Sequence, residues 1–427
     1  MFRFSKLGLA PVLIGSTALA LGISIAMANA ADKVTITFAN WASAEGATRP
    51  GIEKVIADFE AANPNIEIQS EAISFSEIAR QLVLRVRSGN PPDVAQLAGN
   101  DTFLLASSGK LEPLDALAGG ELEAMMKPAS IEGLKLDGQL IALPWSQVPG
   151  GFWYNKAIME KAGLDPQNPP KTIDELMAAM AKIKETQPDV IPLGLDTTNR
   201  AFSMSSNWPW MRTFGALPVG EGATGAESPE MKAYLQWMRD LAQKGYIDPG
   251  RKIGEFRPLA AQDKVAFHWD QVLLQGVIQS TNGMSDEDFY DRWGVTAMPA
   301  GPSGKSYSFE GGHQLVMFAD SEKKEAAWTF MRYLATSPDA IANYTISYNS
   351  SLPPLAKAPN EALAAELDTP IFKAFSETVI PTLTPQPYGP AFAAASTAVM
   401  AGVQEAVTGN QPIDEIAASI QQQLDRQ

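Results

Sequence analysis

The sequence predicts an α/β protein built on largely parallel sheets and long enough for two domains. Three observations carry this. Toward the N-terminus, period-two strands alternate with amphipathic helices, the order that buries a parallel sheet under helix layers. Setting aside a leader of 30 residues leaves 397 of the 427, too many for one simple core. No internal repeat and no low-complexity linker breaks the remainder.

The leader is read from its three regions. Arg3 and Lys6 make a short positive segment, an apolar run extends from Leu7 to about Met27, and Ala28-Asn29-Ala30 is a small-residue cleavage pattern. The run is about long enough to span a bilayer, so the cleavage pattern decides for an export signal over residues 1–30, cut near Ala30-Ala31. No later apolar run reaches spanning length, so a soluble mature chain without direct membrane insertion is expected. The chain has no cysteine, which excludes disulfides, a thiolate zinc site, a catalytic thiol and a lipid-attachable residue. An exported chain without such an anchor is expected in the periplasm. Removing Arg3 and Lys6 takes the formal charge from −15 to −17, a surface that repels nucleic acid and anionic membranes.

The mature chain opens with Val34, Ile36 and Phe38 alternating against Thr35 and Thr37, a strand, followed by the loop Asn40-Trp41-Ala42-Ser43. A helix follows with Pro50 in its first turn and Ile52, Val55, Ile56 and Phe59 at helical spacing. Ile66 and Ile68 start a second strand. Ser74-Phe75-Ser76-Glu77 reads as a capping box before the helix of Ile78, Leu82 and Val86. Asp93 to Leu97 reads as a third strand. Further helices are expected at Ile173–Glu185, capped by Thr172, at Met231–Lys244, at Glu322–Ala335, and across Phe392–Leu424 with a break at Gly409-Asn410. Leu352-Pro353-Pro354 and Pro381 to Pro390 read as rigid crossings.

Several segments in this order resemble a known family. They are Asn40-Trp41 with the helix ending Phe59-Glu60-Ala61-Ala62-Asn63-Pro64, Gly89-Asn90-Pro91-Pro92-Asp93-Val94, and Leu143-Pro144-Trp145 with Phe152-Trp153-Tyr154-Asn155-Lys156. Pro170 to Leu176, and Gly311-Gly312-His313 followed by Ala326-Ala327-Trp328-Thr329-Phe330, complete the set. The chain resembles the extracellular solute-binding proteins of ABC importers, in the maltose- and oligosaccharide-type sugar-binding cluster (family 1). The resemblance implies a two-lobe periplasmic binding protein fold of type II. Its ligand cleft lies between lobes joined by hinge crossings, and the closed form is read by the membrane permease subunits of the importer. By analogy, lobe one covers 31–141 and 302–350, and lobe two covers 142–301 and 351–427. A carbohydrate is the expected ligand and a monomer the expected state. No cofactor, no metal and no enzymatic activity are expected.

A sugar presents apolar C–H faces and a rim of hydroxyls, so its site needs aromatic platforms with polar groups around them. Such residues coincide at strand ends in five places: Asn40, Trp41 and Ser43; Gln96 and Asp101; Trp145; Trp208 and Trp210; Trp269 and Asp270. The resemblance adds Gly311, Gly312, His313 and Asn349. Each tryptophan also has a plain reading as core. Trp237 and Trp328, at helical spacing among apolar residues, are assigned to the core, and Trp293, before a strand, to structure. Trp208 and Trp210 point opposite ways if extended, so one of them is expected in the cleft. Arg200 and Arg212 flank them and would serve an anionic ligand.

Other motifs fail. Gly220-Glu221-Gly222-Ala223-Thr224-Gly225 matches a dinucleotide fingerprint but lacks the strand-to-helix junction, and reads as a loop. Gly304-Lys305-Ser306 lacks the earlier glycine of a phosphate loop. Two histidines and no cysteine make a structural zinc site a poor fit. Asp286-Glu287-Asp288 reads as a helix N-terminus. Two rivals stay open. A carbohydrate-active enzyme would need two facing carboxylates, for which Asp101 and Asp270 are the candidates. A binder of another solute, such as a polyamine, a glycerol phosphate or a sulfonated sugar, would need charge in the pocket.

Overall fold

The computed structural model describes residues 33–389 and 391–426, so the export signal expected over residues 1–30 lies outside the described residues. Among the described residues no helix is long and apolar enough to cross a membrane.

Strand β1 (Val34–Asn40) buries the expected alternate set, with Ile36 and Phe38 fully enclosed. The Arg49–Ala62 helix then buries Ile52, Val55, Ile56 and Phe59 and returns the chain to β2 (Ile66–Ala72), parallel to β1. The Phe75–Arg87 helix leads to β3 (Val94–Ala98), parallel to the other side of β1. Asp93 locks this corner. Its carboxylate accepts from the Thr37 backbone N–H at 2.8 Å, the Thr37 hydroxyl at 2.9 Å, Ser321 at 2.7 Å and Lys323 at 3.1 Å. Burial alone would raise its pKa, and these hydrogen bonds outweigh it and hold the carboxyl low.

After a two-strand hairpin, β4 (Lys135–Leu136) with β5 (Gln139–Leu140), strand β6 (Leu143–Gln147) closes the first sheet. The chain then passes through Val148 and Pro149 into β7 (Gly150–Asn155) of a second sheet. That sheet gathers β8 (Ile191–Gly194), β9 (Val265–Gln271), β10 (Trp293–Thr296), β11 (Ser308–Phe309) and β13 (Leu383–Thr384). Between them β12 (Gly312–Met317) returns to the first sheet, antiparallel to β3 and β6. The first sheet runs β2-β1-β3-β12-β6 and the second β13-β11-β7-β9-β8, with β10 also on β7.

Each sheet has its own core. Phe38, Phe59, Trp145, Phe330 and Tyr344 belong to one, and Phe152, Trp153, Trp210, Trp237 and Trp269 to the other. The pairing differs from the boundaries drawn at 142, 302 and 351. Leu143–Gln147 hydrogen-bonds in the first sheet and Ser308–Phe309 in the second, while Leu355 and Leu363 pack in the first core. A strand belongs to the sheet that satisfies its backbone, and hydropathy does not report that.

Three local expectations need correction. Ser74 makes no capping bond to the helix backbone. Its hydroxyl instead meets Ser76 at 3.3 Å, while Glu77 pairs with Arg80. Trp208-Pro209-Trp210 is not extended but lies inside the helix Ala201–Phe214. Trp328 is half-buried at the margin of its core, because the buried face of its helix runs through Ala327, Phe330, Met331 and Leu334. Thr172, Ser228 and Ser285 do cap their helices, accepting from Glu175, Met231 and Asp288 backbone N–H groups. The acidic run at Asp286 is the first turn of the helix Asp286–Arg292.

Candidate ligand-binding cleft

A cleft of about 700 Å³ opens between the two sheets, and residues from both lobes and their crossings line it. From the first lobe come Trp41, Glu45, Phe75, Asn100, Asp101 and Phe103. From the second come Arg200, Phe202, Ser205, Arg257, Gln271 and Tyr388. The crossings add Val148, Pro149, Glu310 and Gly311, and the margin of the first sheet adds Gly312 and Asn349. Strand ends and loops reach the cleft because the strand centres are occupied by the two cores.

Of the residues expected there, the wall includes Trp41, Asp101, Gly311, Gly312, His313 and Asn349. Trp41, 4% exposed, meets His313 edge-on with ring centroids 5.0 Å apart and Phe75 at 5.2 Å. The His313 ring is set by two amides. Gln96 Nε2 lies 3.4 Å and Asn349 Nδ2 3.5 Å from its Nδ1. Gln96 is oriented by its Oε1, which accepts from Ala42 N–H at 3.2 Å. With its Oε1 committed to Ala42 N–H, Gln96 presents its Nε2 donor to Nδ1, which makes Nδ1 the acceptor and leaves the ring proton on Nε2. Nε2 has no partner among the described residues, so a neutral N–H donor is left over in the cleft wall.

Burial pushes the His313 imidazole down to about 4. The folded state therefore refuses a proton that the unfolded chain accepts near 6.5. The resulting stability is complete above pH 6.5 and is lost as the pH falls toward 4, up to about 3 kcal/mol. Thermal melts from pH 7 to 4 should show this loss, and His313→Gln should flatten the profile across that window. An unchanged profile would mean that the imidazole is solvated.

The other candidates stand behind the wall. Asn40 is fully buried and organises its own loop, accepting from Ser43 N–H at 2.7 Å and donating to Ser70 at 2.9 Å; Ser43 also meets Ser70 at 2.8 Å. Gln96 supports His313 as described. Trp145 is core, stacked on Tyr344 at 4.6 Å. Trp208 donates to the Pro385 carbonyl at 2.8 Å, and Trp210 packs on Trp237. Trp269 is fully buried against Phe309 and the bare backbone of Gly150.

Asp270 departs most from expectation. It is fully buried, accepts from Arg257 Nε at 2.8 Å and Nη2 at 2.9 Å, and lies 3.0 Å from His268 Nε2. Burial would raise its pKa, but Arg257 and His268 hold it far below the usual carboxylate range. His268 and Asp270 share one face of β9, where the helix Ile253–Ala261 brings Arg257 over them. A side chain at Gly194 would collide with the His268 ring. Asp270 therefore reaches the cleft only through Arg257. With it closed off, the pair Asp101 and Asp270 cannot flank a glycosidic bond. Arg200 does line the cleft, held by buried Asp196 at 2.8 Å, whereas Arg212 lies over the Tyr307 ring at 4.9 Å.

Glu45, Phe75, Phe202, Arg257, Glu310 and Tyr388 were not singled out from the sequence. Most stand in helices or loops with no aromatic–polar coincidence beside them. Tyr388, inside a segment rich in proline, and Glu310, directly before Gly311-Gly312-His313, carried signals that could have placed them.

The family model for bacterial extracellular solute-binding proteins matches residues 17–341. A binding protein of Brucella abortus (strain 2308) is 28% identical over 325 residues, 73% of this chain and 75% of the relative. The sn-glycerol-3-phosphate-binding periplasmic protein of Escherichia coli O6:K15:H31 is 30% identical over 181 residues, 41% of each. Among solved structures, an ABC transporter solute-binding protein from Thermotoga lettingae with bound α-D-tagatose superposes with a TM-score of 0.77 at 23% identity, covering 92% of this chain and 99% of that one. The maltose-bound MalE3 of T. maritima reaches a TM-score of 0.79 at 21% identity, with the same coverage. At these identities the structures establish the fold.

Proposed function

The chain belongs to the bacterial extracellular solute-binding protein family, and from that premise we propose that it captures a carbohydrate in the interlobe cleft and delivers it to the permease subunits of an ABC importer. Export follows from membership; residence in the periplasm, cleavage near Ala30-Ala31 and action as a monomer are part of the proposal. The observation that carries the reading is the composition of the cleft wall. Rings from both lobes, Trp41, Phe75, Phe103, Phe202 and Tyr388, alternate with uncommitted hydrogen-bonding groups such as the His313 N–H. Rings take the C–H faces of a pyranose and the polar groups take its hydroxyls. Because the two lobes supply different parts of the wall, a ligand completes its contacts only when they close, and its binding energy shifts the population to the closed form. We place the hinge at Val148-Pro149, Glu310-Gly311, the stretch around Leu352 and the segment between Leu363 and Ile371, where the chain changes core. Binding without turnover is the activity proposed.

The test is a thermal-shift screen of the purified protein against mono- and oligosaccharides, with mass spectrometry of the recovered sugar. A carbohydrate at about a hundred times its dissociation constant should stabilise the fold by about 2.7 kcal/mol, and it should be recovered intact. Failure of every carbohydrate to raise the melting temperature, or recovery of a cleaved sugar, would overturn the proposal.

A further inference from the structure

The charges in the cleft wall do not cancel. Three bases line it: Arg200, Lys252 and Arg257. Arg200 and Arg257 are already neutralised by fully buried carboxylates, Asp196 and Asp270, at 2.8 Å in each case. Lys252 stands three residues from Glu255, which also lines the wall. Three acids remain: Glu45, Asp101 and Glu310. Glu45 is in the field of Arg257. Asp101 and Glu310 have no hydrogen-bond or ion-pair partner among the described residues.

Asp101 and Glu310 are carried to the same segment of wall: Asn100 Oδ1, beside Asp101, accepts from Gly389 N–H at 2.9 Å, and Phe309, beside Glu310, pairs with Thr384 of β13, just ahead of Gln386 and Tyr388. Both act electrostatically on the hydroxyl of Tyr388, which itself meets Ser205 at 3.4 Å. Phe103 lies 6.1 Å from the Tyr388 ring and Phe392 lies 5.0 Å from it. Burial raises both carboxyls, because nothing nearby supports their charge. A second observation is independent of the acids. Gln386, in the same wall, has Oε1 and Nε2 each under 1 Å² exposed and neither partnered. Buried amides are seldom left so, and one in a ligand cleft indicates polar groups still to come.

We propose that the cleft selects a carbohydrate bearing a protonated amine, an amino sugar or aminated oligosaccharide, and that its ammonium group seats between Asp101 and Glu310 against the Tyr388 ring. This rests on the carbohydrate-binding reading and narrows it. An ammonium ion satisfies both carboxylates and is drawn to the aromatic faces around them. A carboxylate, sulfonate or phosphate placed there would meet two uncompensated negative charges. A neutral sugar donates hydroxyls to the two acids but leaves their negative charge uncompensated.

The experiment is calorimetric titration with matched sets: glucose, glucosamine and glucuronate, the galactose set, and cellobiose beside the chitosan disaccharide. In at least one set the amine should bind about tenfold or more tighter than its neutral counterpart, with affinity falling as salt is added. The Asp101→Asn/Glu310→Gln double variant should lose that preference, so that amine and neutral sugar bind alike, and a cooperative thermal melt shows that it folds. Equal binding of amine and neutral sugar, or tightest binding of the uronate, would overturn the charge selection and leave the carbohydrate reading intact. Absence of binding by every member would count against both.

Discussion

Replacing Asp270 with alanine is expected to cost about 3–5 kcal/mol of folding stability, the range for removing one partner of a buried ion pair. The carboxylate is fully buried and takes bonds from Arg257 at 2.8 and 2.9 Å, and from the Gln271 backbone N–H at 2.7 Å, with His268 Nε2 at 3.0 Å. Alanine leaves the guanidinium without its counter-charge and an imidazole nitrogen without its neighbour, inside a strand whose every residue is buried. Urea unfolding of the two proteins reads the difference. The same variant should bind ligand more weakly although Asp270 does not line the cleft, because Arg257 does and loses its anchor. Asp270→Asn keeps the shape and removes the charge, so it should recover part of the packing but not the set of the guanidinium. The pH dependence has a definite sign. The folded carboxyl is far below its unfolded value of about 4, so its contribution is present above that pH and is lost as the pH falls further. Stability and affinity both unchanged in Asp270→Ala would remove the clamp from the account.

That residue also shows how far a sequence can be read. His268-Trp269-Asp270-Gln271 ends an apolar segment with an aromatic and a carboxylate, the combination a sugar site needs. The strand end was legible. What was not legible is that the helix Ile253–Ala261 lays Arg257 over Asp270. That contact is long-range in space, and no local pattern encodes it. The same limit explains Trp145, which reads as an aromatic at a strand end. Its backbone completes the first sheet, and its indole is stacked on Tyr344 from the far side of the chain. Period-two and helical spacing fared better because they depend only on neighbours. Val34 to Phe38, Ile52 to Phe59 and the cap at Thr172 all stand as the pattern placed them. Lobe boundaries lie between these cases, since they follow from which sheet accepts a strand.

Trp41→Ala should weaken ligand binding by about 2 kcal/mol or more, roughly thirtyfold, the scale of a buried aromatic anchor. Two losses combine. The indole is a platform in the wall of the cleft. It also stands edge-on to His313 at 5.0 Å, so removing it frees the ring that offers the Nε2 proton. Because Trp41 is 4% exposed, alanine should also cost about 3 kcal/mol of stability by the cavity it leaves, and an affinity measured on a partly unfolded sample would mislead. Trp41→Phe separates the two effects. Phenylalanine restores most of the contact with Phe75 and His313 but offers the ligand a smaller face, so stability should return nearly to that of the parent while affinity returns only in part. Calorimetry on the folded fraction of all three proteins, once the sugar is identified, decides it. If Trp41→Ala bound that sugar as tightly as the parent, the rings that hold it would have to be the others of the wall, Phe75, Phe103, Phe202 and Tyr388, with Trp41 serving only to pack the loop after β1.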